Sequence, residues 1–367
     1  MVVMRELPWH GAAWAALQPL RARGVHALLL HGAAGIGKKS LALDFAAALL
    51  CEAPRADGHA CGACTGCVLV NAGSHPDLRI VVPDTLAEWR GPPPEGDDDE
   101  AEVEEPAADE AEPAKGKKVS REIRIEQVRA LQDFLATSTH RGGVRAVMLA
   151  PAETLNGPSA NALLKMLEEP PPGSFFVLAS DALADVLPTI RSRCVLVRVA
   201  PPTRDAALAW LQGQGIEGAA QALAEAGGAP LLALPADDES AGRLDPAVRG
   251  LLLELLGKGA ELSAAEIAAR VPKALAVGPA LALMQRWGWD LLALSAVRSP
   301  RAVRYHPAAA APLQRIAGAT APTALLGWLQ SLARRRASQD HPLNARLVIE
   351  AALLDYAGCF ARERQAA

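Results

Sequence analysis

Aromatic side chains are scarce in this chain. Phe, Trp and Tyr make up 4 % of its 367 residues, and tyrosine occurs twice. No stretch interleaves aromatics with basic residues in the manner of a single-strand nucleic-acid binder. Long apolar runs are also missing: none reaches the roughly 18 residues that a membrane-crossing helix needs. The opening stretch MVVMRELPWHG lacks the charged start and apolar core of a secretion signal. The expectation is a cytoplasmic protein with no membrane partner. What is present is 50 % apolar and 21 % charged, rich in Leu and Ala, and long enough for two or three mostly helical domains.

The net charge of −4 hides an asymmetry. Residues 91–118 hold eleven acids and three lysines, a local charge of −8, so the rest of the chain carries +4. A segment so acidic, so rich in Pro and Ala and so poor in large apolar residues cannot offset its ordering entropy by burial. It reads as a solvated, disordered insert, with a role in keeping DNA or a basic partner away from one face as the alternative.

Four of the 6 cysteines, Cys51, Cys61, Cys64 and Cys67, form C-x9-C-x2-C-x2-C in the stretch CEAPRADGHACGACTGC. In a cytosolic chain this spacing favours a metal over disulfides, with a redox role as the alternative. Four thiolates close a tetrahedral shell and leave no position for a reacting water, so a structural zinc is expected. His59 reads as a bystander, and Cys194 and Cys359 as buried small side chains.

Up to about residue 200, short apolar runs alternate with helix-like stretches. The runs are Ala27–Leu30, Ile80–Val82, Ala146–Leu149, Phe175–Leu178 and Val195–Val197, and they read as buried strands of a parallel sheet covered on both faces. In GPSANALLKMLEEPPPG, Pro158 opens a helix whose stripe is Ala160, Leu163, Leu164 and Leu167, and three prolines stop it. Beyond residue 202 strand signals fade, Gly227–Pro230 breaks the chain, and from about 243 onward only amphipathic helices are seen. Three parts result: an α/β domain over 1–200 with a metal knuckle at 51–67 and the insert at 91–118, a small helical domain over 201–242, and an all-α domain over 243–367.

HGAAGIGKKS, at 31–40, departs from the phosphate-loop pattern of Gly, four residues, Gly, Lys, then Ser or Thr. Gly32, Gly37 and Lys38 fit, but Lys39 follows and the hydroxyl comes one place late, at Ser40. One step along a helix turns a side chain by about 100°, so Ser40 is no replacement for the residue that reaches Mg2+. Backbone N–H groups at a helix start still favour anions, and Gly32, Gly35 and Gly37 equally make a structural turn. Nucleotide binding without hydrolysis stays open, and Mg2+ is not expected.

The order of motifs HALLLHGAAGIGKKS, the four cysteines, HPDLRIVVPD, IRIEQVRAL, NALLKMLEEPPPGSFFVLAS, TIRSRC and HPLNARLVIEAALLDY resembles bacterial clamp-loader subunits of the extended AAA+ superfamily, and among them the delta-prime family of DNA polymerase III. The resemblance implies an AAA+ α/β domain, a helical lid and a collar that joins subunits into a ring. It implies tau/gamma motor subunits and a delta subunit as partners, a sliding clamp reached through the assembly, and primer–template DNA touched without sequence readout. The clusters Arg298, Arg301 and Arg304, and Arg334 to Arg336, read as solvated faces or subunit contacts rather than phosphate sites.

Within that resemblance three positions argue against hydrolysis. Lys39 replaces the Mg2+ hydroxyl, Ala150 and Pro151 stand where an acidic pair is implied, and GGAPLLAL in the lid lacks an arginine. Glu153 reads as a surface or helix-capping residue. The family's Ser-Arg-Cys arginine maps onto Arg193, implying a charge offered in trans to a neighbour's ATP. The chain would thus be a non-hydrolysing component of a DNA-directed DNA polymerase holoenzyme. The rivals are an ATP-hydrolysing gamma/tau-type motor and a zinc-finger nucleic-acid module, for which Val68–Asn71 offers no basic recognition helix.

Overall fold

A computed structural model describes residues 6–90, 120–141, 143–234, 244–297, 299, 302–337 and 344–360. The expectations for residues 91–118, Arg298 and Arg301 lie outside these. The chain divides into two compact units, residues 1–206 and 207–367. No helix among the described residues is long and apolar enough to cross a membrane.

In the first unit, strands β1 (Ala27–His31), β2 (Leu78–Val81), β3 (Arg145–Leu149), β4 (Ser174–Ser180) and β5 (Val195–Arg198) form one sheet in the order β2-β3-β4-β1-β5. Every pairing is parallel. Helices α1 (Gly11–Ala22), α2 (Lys38–Leu50), α3 (Thr65–Ala72), α4 (Ile125–Ala136), α5 (Gly157–Glu168) and the single turn α6 (Pro188–Arg191) lie between or before the strands. Alternation along the strands explains the two layers. Leu28, Leu30, Ala146, Met148 and Val177 pack with α1 and α2 on one face, and Leu29, Val147, Leu149, Phe176 and Leu178 pack with α4 and α5 on the other.

β3 and β4 are buried throughout. β5 corrects the expectation of a buried strand, because Val195 is 39 % and Leu196 43 % exposed. The reason is position: β5 is an edge strand paired only with β1. At α5, Asn156 caps the first turn by accepting the Ser159 N–H, and Pro158 lies at its start as the sequence suggested.

The second unit is helical. Helices α7 (Arg204–Gly213), α8 (Ala219–Glu225) and α9 (Pro230–Ala233) surround a small core of Ala207, Leu211, Ala219 and Leu223. A larger core joins α10 (Pro246–Gly257), α11 (Ala264–Arg270), α12 (Val277–Val297), α13 (Ala310–Gly318), α14 (Pro322–Ala337) and α15 (Ala345–Gly358). Buried Asp290 on α12 accepts backbone N–H groups of Arg304 at 2.7 Å, Tyr305 at 3.1 Å and His306 at 2.9 Å, which fixes the segment before α13. The basic residues of α14 are not idle charges. Arg335 donates to Asp355 at 2.5 Å and Arg336 to Gln285 at 2.6 Å.

Three helices of this core meet at one hydroxyl. Tyr356 is fully buried, donates to the Leu256 carbonyl at 2.8 Å and accepts the Trp287 indole N–H at 3.2 Å. Tyr356→Phe removes both bonds and leaves the Trp287 indole N–H unpaired, so unfolding free energy should fall by about 1–3 kcal/mol. A urea titration of the variant against wild type measures this, and an unchanged midpoint would show that the hydroxyl does not tie the helices together.

Candidate functional site

β1 delivers the chain to a loop, Gly32–Gly37, from which α2 starts at Lys38. Two glycines there have steric reasons. A Cβ on Gly32 would lie 2.4 Å from the Val199 carbonyl oxygen, and one on Gly37, at φ 88°, would lie 2.2 Å from Leu7 Cδ1. The segment before α1 braces the loop from outside. The Trp9 indole N–H donates to the Ile36 carbonyl at 2.8 Å, and His10 Nε2 lies 2.9 Å from the same oxygen.

The side chains of the loop show how its charges are satisfied. Lys38 is only 2 % exposed, and its ammonium donates to the Ala33 carbonyl and lies 2.5 Å from Asp181 Oδ1. Lys39 turns away, with Nζ 4.9 Å from the centre of the Trp89 ring, and burial lowers its pKa. Ser40 is buried in the first turn of α2. At the end of β3, Ala150 is buried and Pro151 follows, so no carboxylate stands there. Glu153, in the turn Ala152–Thr154, accepts the Asp181 N–H at 2.9 Å.

The sequence reading missed Asp181. Its signal was an acid directly after the apolar run of β4, which becomes meaningful only when strand register is known. Also missed was Asp44, buried on α2 with Oδ1 unpaired, where burial and then the charge of Glu6 raise its pKa to about 7.

The four cysteines come together. Their Sγ atoms lie within 4.8 Å of one another, with Cys51–Cys64 and Cys61–Cys67 each at 3.8 Å. A tetrahedral ion bound by thiolates at about 2.3 Å requires sulfur–sulfur edges of about 3.8 Å, whereas a disulfide requires about 2 Å. Backbone N–H groups point at the sulfurs: Cys61 N–H donates to Cys51 Sγ at 3.3 Å, Cys64 N–H to Cys61 Sγ at 3.3 Å and Cys67 N–H to Cys64 Sγ at 3.4 Å. N–H bonds from Ala63 and Cys64 lower the Cys61 pKa to about 6, whereas burial raises those of Cys51 and Cys67. These residues fit a closed metal shell. His59 stays outside it, stacked on Trp14 at 3.7 Å.

Arg193 lies elsewhere. Leu28 pairs with Val195, the first residue of β5, and Arg193 precedes it in the turn after α6, on the side where β5 enters the sheet, whereas Gly32 follows the last residue of β1. The Arg193 guanidinium donates to the Glu168 carboxylate and to the Thr189 carbonyl, the latter at 3.0 Å. In the second unit, α9 carries no basic residue.

A family model described as "DNA polymerase III, delta subunit" matches residues 18–203, half of the chain. The DNA polymerase III subunit delta' of Pseudomonas aeruginosa is 40 % identical over 230 residues, covering 62 % of this chain and 60 % of that protein. The subunit of the same name in Escherichia coli is 34 % identical over 190 residues, covering 52 % and 46 %. The chain therefore spans about half the length of these curated relatives. A solved DNA polymerase III gamma subunit-related protein of Thermotoga maritima overlays with a TM-score of 0.44 at 15 % identity, covering 95 % of this chain and 99 % of that one.

Two measurements follow from this geometry. Metal analysis of the purified chain should find about one divalent ion, and Cys61→Ser with Cys64→Ser should lose it together with thermal stability. Asp44 sets a pH dependence. Because its folded pKa is raised from 3.8 to about 7, its stabilising proton is lost as pH rises. Between pH 5 and pH 8 wild type should lose roughly 2–3 kcal/mol relative to Asp44→Asn, read from unfolding curves at the two pH values. Parallel curves would mean that Asp44 does not titrate in this range.

Proposed function

The chain belongs to the family described as DNA polymerase III, delta subunit, and from that premise we propose that it is a non-hydrolysing, delta-prime-type subunit of a clamp loader. In this reading tau/gamma motor subunits and a delta subunit are its partners, and the assembly places a sliding clamp on primer–template DNA through contacts without sequence readout. The first unit takes the role of the AAA+ domain. Residues 201–242 and 243–367 act as lid and collar.

The observation that carries the proposal is the state of the Gly32–Lys38 loop. Hydrolysis needs Mg2+ held by a hydroxyl and a carboxylate and a base to activate water. Lys39 lies against Trp89, the end of β3 offers Ala150 and Pro151, and Lys38 is paired within its own chain. None of these groups can hold the metal. A gamma/tau-type motor, the alternative, would have to turn over ATP as an isolated chain.

Arg193 is assigned the active role in trans. A guanidinium fork beside a γ-phosphate stabilises the charge that develops there, an effect of about 10³–10⁵ in rate where it has been dissected. Its position at the far end of β5 from Gly32 supports service to a neighbour's site. The contact with Glu168 holds the side chain at the surface until a stronger anion is presented. The metal assigned to the four cysteines is zinc, because four soft ligands in a tetrahedron suit it and leave no open position for chemistry. It ties the end of α2 to the start of α3, a structural role.

In a reconstituted loader, Arg193→Ala should lower clamp- and DNA-stimulated ATP turnover by roughly tenfold or more, while Lys38→Ala leaves it within about twofold. Should Lys38→Ala be the damaging change, the loop is an active site and the proposed division of labour is wrong.

A further inference from the structure

The Lys38–Asp181 pair goes beyond a missing hydroxyl or a missing acid. Strand register explains how it forms. His31 of β1 is level with Ser180 of β4, so the residues that follow, Gly32 and Asp181, leave the sheet side by side. Asp181 is thereby held at the lip of the loop. Its backbone N–H is pinned by Glu153 Oε1 at 2.9 Å, and the next N–H, of Ala182, donates to Ser180 Oγ at 3.2 Å. From this fixed base the carboxylate reaches the Lys38 ammonium at 2.5 Å. The lysine side chain is 2 % exposed and the aspartate 49 %, so the carboxylate meets the ammonium from the solvent side. That is the side from which a phosphate group would arrive.

A buried ammonium needs an anion, and here the chain supplies one. We propose that Asp181 is the built-in anion of this loop: it takes the place of a phosphate on Lys38 and is the residue that closes the loop to oligophosphates, nucleoside triphosphates included. The inference rests on the non-hydrolysing reading above and gives it a cause. An oligophosphate has either to displace the carboxylate or to settle beside a like charge. A carboxylate tethered to a strand end competes at an effective concentration of about millimolar or more. Apparent affinity then falls by the fraction of molecules in which Lys38 is free. The glycine turn and the N–H groups at the start of α2 remain in place, so removing this one charge should reopen the site.

The test uses the full chain and two probes, inorganic tripolyphosphate and a fluorescent ATP analogue, titrated with and without Mg2+. Asp181→Asn, isosteric and half-exposed, should bind tripolyphosphate roughly tenfold more tightly than wild type. Adding Lys38→Met should remove the gain, and Asp181→Ser should reproduce it. Equal or weaker binding by both Asp181 variants, or a gain that survives Lys38→Met, overturns the role of Asp181 and leaves the non-hydrolysing reading intact. ATP turnover by the wild-type chain in the same samples, with tight binding, would overturn both.

Discussion

The parallel pairing of β1 with β4 on one side and β5 on the other is the constraint on which the rest of the first unit depends. Parallel strands place all their C-terminal ends on one edge, and three functional positions are sorted by that rule. The loop after β1 and Asp181 after β4 share one edge. Arg193, which precedes β5, is sent to the other.

On the shared edge, charge balance governs the local structure. Two lysines begin α2, and neither ammonium is left to solvent alone. Lys38 is neutralised by Asp181 and a loop carbonyl, and Lys39 rests on the indole of Trp89. Glu153 takes the N–H that precedes the Asp181 side chain, so an acid standing too late for metal chemistry contributes positioning instead. The loop is thus complete without a ligand. Its glycines Gly32 and Gly37 meet the steric demands of Val199 and Leu7. The cysteine cluster, a few residues beyond α2, is equally self-contained, since its sulfurs accept backbone N–H groups from the knuckle itself.

The second unit solves a different problem. Its helices are joined by leucine packing around a cluster of Trp287, Trp328, Tyr356 and Phe360, and by a small number of buried polar anchors. Asp290 organises the segment before α13 through three backbone N–H groups, and Tyr356 links α10, α12 and α15. Buried polar groups of this kind are costly unless fully bonded, which makes them specific to one arrangement of helices.

Much of the local structure was legible in the sequence by itself. Apolar runs marked the strands, Pro158 marked the start of α5, and C-x9-C-x2-C-x2-C marked a cluster that needs only a short knuckle to close. These signals are local, because periodicity, capping and close cysteine spacing act over a few residues. The exposure of β5 was not legible, since Val195 and Leu196 read as core until the sheet order places them on an edge. Asp181 was invisible for the same reason. It lies 143 positions from Lys38, and nothing in the intervening sequence says that the ends of β1 and β4 are level. The raised pKa of Asp44 likewise needed the packing around α2 and the charge of Glu6. Residue types and spacing determined which chemistry could be assembled. Tertiary register decided which groups meet, because parallel strands bring together ends that are far apart in the chain.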